Sequence, residues 1–237
     1  MINFKGQKIL VLAPHPDDEV FGCGGLIARA KREGAKVYVL YFTVGTTKDF
    51  SKKGLSTQKE RIKEVDQVAK YLELDGYKIA FPGNDYHLTL DNLPQKVLIN
   101  EIERGDKISL EVIKPSTLLI PDPQDYNQDH RAVALAAIAA TRPSPSRYKS
   151  FQPLVLTYEY SPSSWSQSSG EHSRNFFVSL TADDLAAKLK ALALYKSQLK
   201  PHPHPLSVKT TRTLIELRGV QAGVSFAEAF CAKRVLV

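Results

Sequence analysis

Cysteine is nearly absent: the 237 residues contain two, Cys23 and Cys231. A disulfide framework is therefore excluded, and so is any Cys-rich zinc site. No apolar run approaches the ~20 residues that a helix needs to cross a bilayer. The short apolar stretch near the N-terminus, Ile9–Ala13, has no cleavage-like segment behind it and reads as a strand rather than a signal peptide. These absences make the cytoplasm the expected location, either free or peripheral at the inner membrane face. No internal repeat or interdomain linker is visible, so residues 1–237 are expected to form one domain.

Positive charge is in excess. Lys and Arg number 32 against 25 Asp and Glu, a net charge of +7. Such a balance favours anionic partners without choosing between sugar phosphates, a lipid surface and nucleic acid. Residues 181–237 carry nine basic and four acidic side chains, so much of the excess falls on an amphipathic helix, read as a solvated face. Hydrophobic residues make up 43% and charged residues 24%, which rules out general disorder.

The first half alternates between two periodicities. Lys8–Ala13 is a continuous apolar run, as expected of a parallel strand buried on both faces. Helical character follows over Val20–Glu33, then a strand at Val37–Phe42. Thr57 and Glu60 make a capping box for a helix whose Ile62, Val65, Ala69 and Leu72 share a face. Further units are expected as strand Lys78–Phe81, helix Gln95–Glu103, strand Thr117–Ile120 and helix Arg131–Ala140. This rhythm predicts an α/β fold, Rossmann-like, with a mainly parallel sheet and helices on both faces. Later come strands Val155–Tyr160 and Phe176–Ser179, and a helix capped by Thr181 and Asp184 with a Leu185, Leu189, Leu192 and Leu199 stripe. Pro201, Pro203 and Pro205 are expected to break it, before helix Ser207–Leu217 and strand Ala227–Val237.

Two clusters carry chemistry, each directly after a predicted strand. The first is Pro14-His-Pro-Asp-Asp-Glu19; the second runs from Pro121 to His130 and ends Asp129-His130. Ligands of open parallel sheets collect at the carboxyl ends of strands. Acids and imidazoles there are costly to bury unless paired or bound to a metal. The simplest structural account of the first cluster is a solvated loop with an N-cap Asp, and of His130 a hydrogen-bonded helix-start histidine. Two clusters at two strand ends favour a joint site instead, since two imidazoles and one carboxylate with open positions suit a catalytic zinc.

The chain resembles the PIG-L/LmbE family of zinc-dependent N-acetylglucosaminyl deacetylases. Ala13-Pro-His-Pro-Asp-Asp-Glu-Val-Phe-Gly-Cys-Gly-Gly25 is similar to its first signature, and Asn127-Gln-Asp-His-Arg-Ala-Val133 with Thr141-Arg-Pro143 to its second. Tyr195-Lys-Ser-Gln-Leu199, His204-Pro205 and Arg218-Gly219 through Ala227-Glu-Ala-Phe230 resemble the tail of bacterial members. The resemblance implies that His15, Asp18 and His130 hold Zn2+, that Asp17 is the general base, and that Asp129 orients an imidazole. Arg61 and Glu64 resemble an Arg-x-x-Glu pair that meets sugar hydroxyls or a phosphate, although an exposed helix face explains them too.

One position departs from the pattern. Many relatives have His-Pro-Asp-His, the first His stabilising the oxyanion; here that position is Asn127. Asn can donate a hydrogen bond but not a cation, so the work falls to Asn127 or to Tyr126, His202 or His204, with His204 favoured for its Pro-bracketed rigidity. A plain Pro-rich connector is the competing account. Tyr160 and Trp165 are candidates to stack on a sugar, while His87 and His172 receive no role.

Three other classes compete with this reading. Gly22-Cys-Gly24-Gly25 suggests a dinucleotide fingerprint, but Ile27 stands where the third glycine belongs and the acidic run would repel a pyrophosphate. A nucleic-acid partner is not expected, because no aromatic-basic stripe accompanies the charge. A catalytically weakened sugar-binding relative is the alternative motivated by Asn127. The substrate expected from the resemblance is an amino-sugar conjugate, nucleotide- or lipid-linked as a first choice. Homo-oligomerisation is left open.

Overall fold

The computed structural model describes residues 3–48, 53–161 and 174–236. Trp165, His172 and most of the Ser-rich loop lie outside the described residues. The chain runs β1 (Lys8–Ala13), α1 (Asp18–Arg32), β2 (Lys36–Val44), β3 (Thr47–Lys48), β4 (Leu55–Ser56), α2 (Gln58–Tyr71) and β5 (Gly76–Pro82). A 3-10 turn (Leu90–Asn92) precedes α3 (Gln95–Arg104), α4 (Leu110–Ile113), β6 (Thr117–Ile120) and α5 (Gln128–Ala140). The remainder is β7 (Leu154–Tyr158), β8 (Phe176–Ser179), α6 (Ala182–Leu194), α7 (Val208–Ala222) and β9 (Ala227–Val235).

Seven strands form one sheet in the order β5-β2-β1-β6-β7-β9-β8. The first five are parallel; β9 runs antiparallel to both β7 and β8. The mainly parallel α/β expectation is met. Strand β1 alternates because both its faces are covered. Ile9, Val11 and Ala13 join a core with residues of α1, α2 and α6, while Leu10 and Leu12 join one with α3, α4 and α5. From β1 the chain steps to β2 on one side, and β6 enters on the other. The crevice between the carboxyl ends of β1 and β6 is therefore the topological switch point.

Several boundaries differ from the sequence reading. Helix α5 starts at Gln128 rather than Arg131, because Asn127 caps it by accepting the Asp129 N–H at 2.9 Å. Helix α6 ends at Leu194, well before the prolines, so Leu199 packs against the core from beyond the helix. The chain turns there because Tyr195 and Ser197 are held by Glu19 and Glu64. Both expected capping boxes, Thr57 with Glu60 and Thr181 with Asp184, are present.

The glycines of the first signature serve packing. A Cβ at Gly22 would sit 2.3 Å from the Tyr158 ring, and one at Gly25 2.4 Å from Leu180. Between them Cys23 is non-helical (φ −147°, ψ 23°), so α1 is two helical pieces. Glu228 of β9 accepts the N–H groups of Gly25 and Leu26 at 2.8 and 2.7 Å, capping the second piece. Lys188 of α6 donates to Phe21 O at 2.7 Å and pairs with Glu228 at 2.6 Å. This buried ion pair splices the helix. Removing one partner strands the other charge, so Lys188→Met should destabilise the protein by ~3–5 kcal/mol. Adding Glu228→Gln should recover part of that loss, as read by urea denaturation of the single and double variants.

Candidate metal centre and active site

Asp17 is the N-cap residue of α1, but not in the usual way. Its φ is 108° and its side chain makes no capping bond. Its carbonyl instead accepts from Val20 and Phe21 at 3.0 and 2.9 Å. A non-glycine residue with this φ costs ~1–3 kcal/mol. The result is a buried Asp17 whose side chain does not cap the helix, as an N-cap Asp ordinarily does. Asp18, the first helical residue, is fully buried, and its Oδ2 accepts the His15 N–H at 2.7 Å.

The second cluster meets the first across the crevice. Asp18 Oδ2 lies 3.5 Å from His15 Nδ1 and 3.3 Å from His130 Nε2. One ligand atom from each of His15, Asp18 and His130 falls within 4.8 Å of the others. Asp18 Oδ1 is buried with no hydrogen-bond partner. Each imidazole is held from behind by a different carboxylate. Asp129 Oδ2 takes His15 Nε2 at 2.8 Å, and Asp125 Oδ2 takes His130 Nδ1 at 2.8 Å. This fixes which ring nitrogen faces the cluster. Two oriented imidazoles, one carboxylate and an orphaned carboxylate oxygen fit a divalent transition-metal ion.

Charge is balanced closely here. Burial alone would raise Asp18, yet His130 and His15 outweigh it and hold the carboxylate well below its usual range. Burial opposes the protonation of His130, but Asp18 and Asp125 lift its pKa to about 10. For Asp17, burial and then the Asp18 charge push the carboxyl well above its usual value, against the pull of Arg61.

Arg61, a substrate-binding candidate from the resemblance, is 2% exposed. Its Nη1 donates to Gly45 O at 3.1 Å and to His87 Nε2 at 3.3 Å. Tyr126 is half-exposed; burial and the nearby Asp125, Asp18 and Asp17 raise its phenol, which places it in the field of the site. Tyr160 packs on His130, ring centroids 5.1 Å apart. Asn127 uses its side-chain oxygen as a helix cap. His204 is not among the side chains brought together. It is exposed, its Nδ1 accepts from Leu206 N–H at 3.0 Å, and no contact joins it to the cluster among the described residues.

Three contributors receive no individual role from the sequence. Asp125 had a usable signal, an acid five residues before a candidate ligand in the same cluster. His87 had none: its ring stands edge-on to His15 at 5.3 Å because Asp129 also accepts the Leu88 and Leu90 N–H groups at 2.9 Å each. Burial, with His15 and Arg61 beside it, drops the His87 pKa to about 4. Glu19 is the third; burial raises it to about 7.

A mainly parallel α/β sheet with a two-histidine, one-aspartate cluster at its switch point places the chain in the class of α/β proteins with a candidate metal site at the carboxyl ends of their strands. Within it, residues 10–141 match the family model described as PIG-L, GlcNAc-PI de-N-acetylase, and the chain belongs to that family. It is 27% identical over 230 residues to a diacetylchitobiose deacetylase of Thermococcus kodakarensis, covering 94% of this chain and 81% of the relative. The crystal structure of the conserved protein TT1542 from Thermus thermophilus is similar at TM-score 0.73 and 27% identity, covering 98% and 96% of the two chains. A 4-carboxy-2-hydroxymuconate hydratase from Pseudomonas putida shares the fold at TM-score 0.70 and 18% identity, with 98% of each chain covered. The fold alone therefore does not select the reaction.

Asp125→Asn should lower the affinity for Zn2+ by ~10–100-fold, because it weakens the carboxylate that orients His130. Competition with a chromogenic chelator measures this, with an unchanged far-ultraviolet circular dichroism spectrum as the control.

Proposed function

We propose that this protein is a zinc-dependent deacetylase that hydrolyses the N-acetyl group of an N-acetylglucosamine-type conjugate, releasing acetate and a free amine. One observation carries the reading. Asp17, directly before Asp18 of the His15, Asp18 and His130 cluster, makes no capping bond with its side chain and feels the charges of Asp18 and His130. Family membership supports it, as does the deacetylase named above. A net charge of +7 is consistent with a phosphate-bearing conjugate, nucleotide- or lipid-linked, met in the cytoplasm or at the inner membrane face.

A zinc ion held by His15, Asp18 and His130 supplies Lewis acidity toward the acetamide carbonyl and toward water. Asp17 takes a proton from the attacking water as its oxygen bonds to the carbonyl carbon. The same carboxyl returns that proton to the nitrogen as the C–N bond breaks, so acetate and amine depart. Asp129 and Asp125 keep the two imidazoles in register throughout. Arg61 and Tyr126 are the side chains assigned to the sugar or its phosphate.

A weakened, sugar-binding relative is the second reading, favoured by Asn127: its oxygen is spent on the helix cap, and no imidazole stands there. Mass spectrometry across N-acetylglucosamine conjugates separates the two. Loss of one acetyl group, abolished by a chelator and restored by Zn2+, is expected. Metal and saccharide binding with no acetate released would instead favour the second reading. Asp17→Asn should retain zinc and lower kcat by ~10²–10⁴-fold, whereas His15→Ala and His130→Ala should lose the metal. Undiminished turnover in Asp17→Asn would refute the base assignment.

A further inference from the structure

The Tyr195-Lys-Ser-Gln-Leu199 segment is nowhere accounted for by metal binding or proton transfer, yet it touches the site from below. Tyr195 is fully buried, and its hydroxyl donates to Glu19 Oε1 at 2.6 Å. Glu19 Oε2, on the other side of the same carboxyl group, accepts the Asp17 N–H at 3.1 Å. Tyr41, also fully buried, places its hydroxyl 3.3 Å from that of Tyr195. Two residues on, Ser197 donates to Glu64 from its N–H at 2.9 Å and from its hydroxyl at 2.6 Å. The turn leaving α6 is thereby tied to the start of α1 and to α2.

We propose that Tyr195 is a positioning residue that acts through Glu19 to hold Asp17 in its left-handed conformation. The inference rests on the proposed role of Asp17 and deepens it. Asp17 occupies a cap position, and Asp is among the residues most prone to turn its carboxylate back onto the first helical N–H groups. Relaxation to an ordinary φ would recover the strain of ~1–3 kcal/mol and favour that cap. Proton transfer needs the opposite arrangement. At φ 108° Asp17 is buried, and its N–H needs an acceptor inside the protein. Glu19 does so, and its other buried oxygen is costly to leave without a donor. Tyr195 occupies it. The hydroxyl touches no reacting atom and no metal ligand; its effect is on where the Asp17 carboxyl stands.

Tyr195→Phe removes only that hydroxyl and keeps the ring in the core. In steady-state kinetics on a conjugate that the unaltered protein deacetylates, kcat should fall ~10–100-fold with KM within twofold, as for a displaced reacting group. Zinc affinity, by chelator competition, should stay within threefold, since His15, Asp18 and His130 are untouched. Hydrogen exchange gives a readout free of activity: the Asp17 amide should lose protection in the variant while the amides of β1 and β2 keep theirs. Ser197→Ala, which removes the hydroxyl bond to Glu64 and leaves Glu19 in contact with Tyr195, serves as the control and should keep Asp17 protected. Unchanged kcat, or an Asp17 amide protected equally in both proteins, would overturn the proposal. A parallel loss in KM and zinc affinity would also overturn it, marking Tyr195 as a general structural prop. Absence of deacetylation by the unaltered protein would instead count against the proposed function, leaving the exchange result to judge the positioning.

Discussion

Asp17, Asp18, Glu19, Asp125 and Asp129 are all buried within one crevice, and the local structure follows from the need to satisfy them. A carboxylate removed from water is costly unless charge or hydrogen bonds replace its solvation. Asp18 finds two imidazoles, Asp129 an imidazole and two loop amides, Asp125 the other imidazole, and Glu19 a tyrosine and a backbone N–H. Asp18 Oδ1 is buried without a partner, and Asp18 belongs to the His15, Asp18 and His130 cluster. A group left short of partners inside a satisfied network marks where something else binds.

The same accounting explains how distant segments come together. Asp129 sits in the first turn of α5, yet its two oxygens reach His15 after β1 and the loop after β5. It therefore joins three strand ends and suspends His87 beside His15. Glu228, at the far end of the sequence, caps the second piece of α1 and so supports the helix on which Asp18 begins. Its partner Lys188 reaches Phe21 O from α6. The site's rigidity is thus drawn from all parts of the fold.

The fold and the candidate ligands that it brings together, His15, Asp18 and His130, were largely legible in the sequence. Unbroken apolar runs at β1 and β6 imply strands covered on both faces, and acidic clusters placed directly after them point to the switch-point crevice. Arg61 was legible as a candidate but not as a buried one, because a single Arg on a capped helix looks the same in sequence either way. His204 shows the converse limit: a rigid, Pro-bracketed histidine is conspicuous in a sequence, but conspicuousness carries no direction.

By itself the sequence determined the alternation of strands and helices, the caps at Thr57 and Thr181, and the residue types able to hold a metal, since each depends on neighbours within one turn or one strand. Tertiary structure alone decided which carboxylate backs which imidazole and that Tyr195 reaches Glu19. Those pairings span from a few residues to 176, and hydrogen bonds a few ångströms long leave no trace in spacing until the chain has folded back on itself.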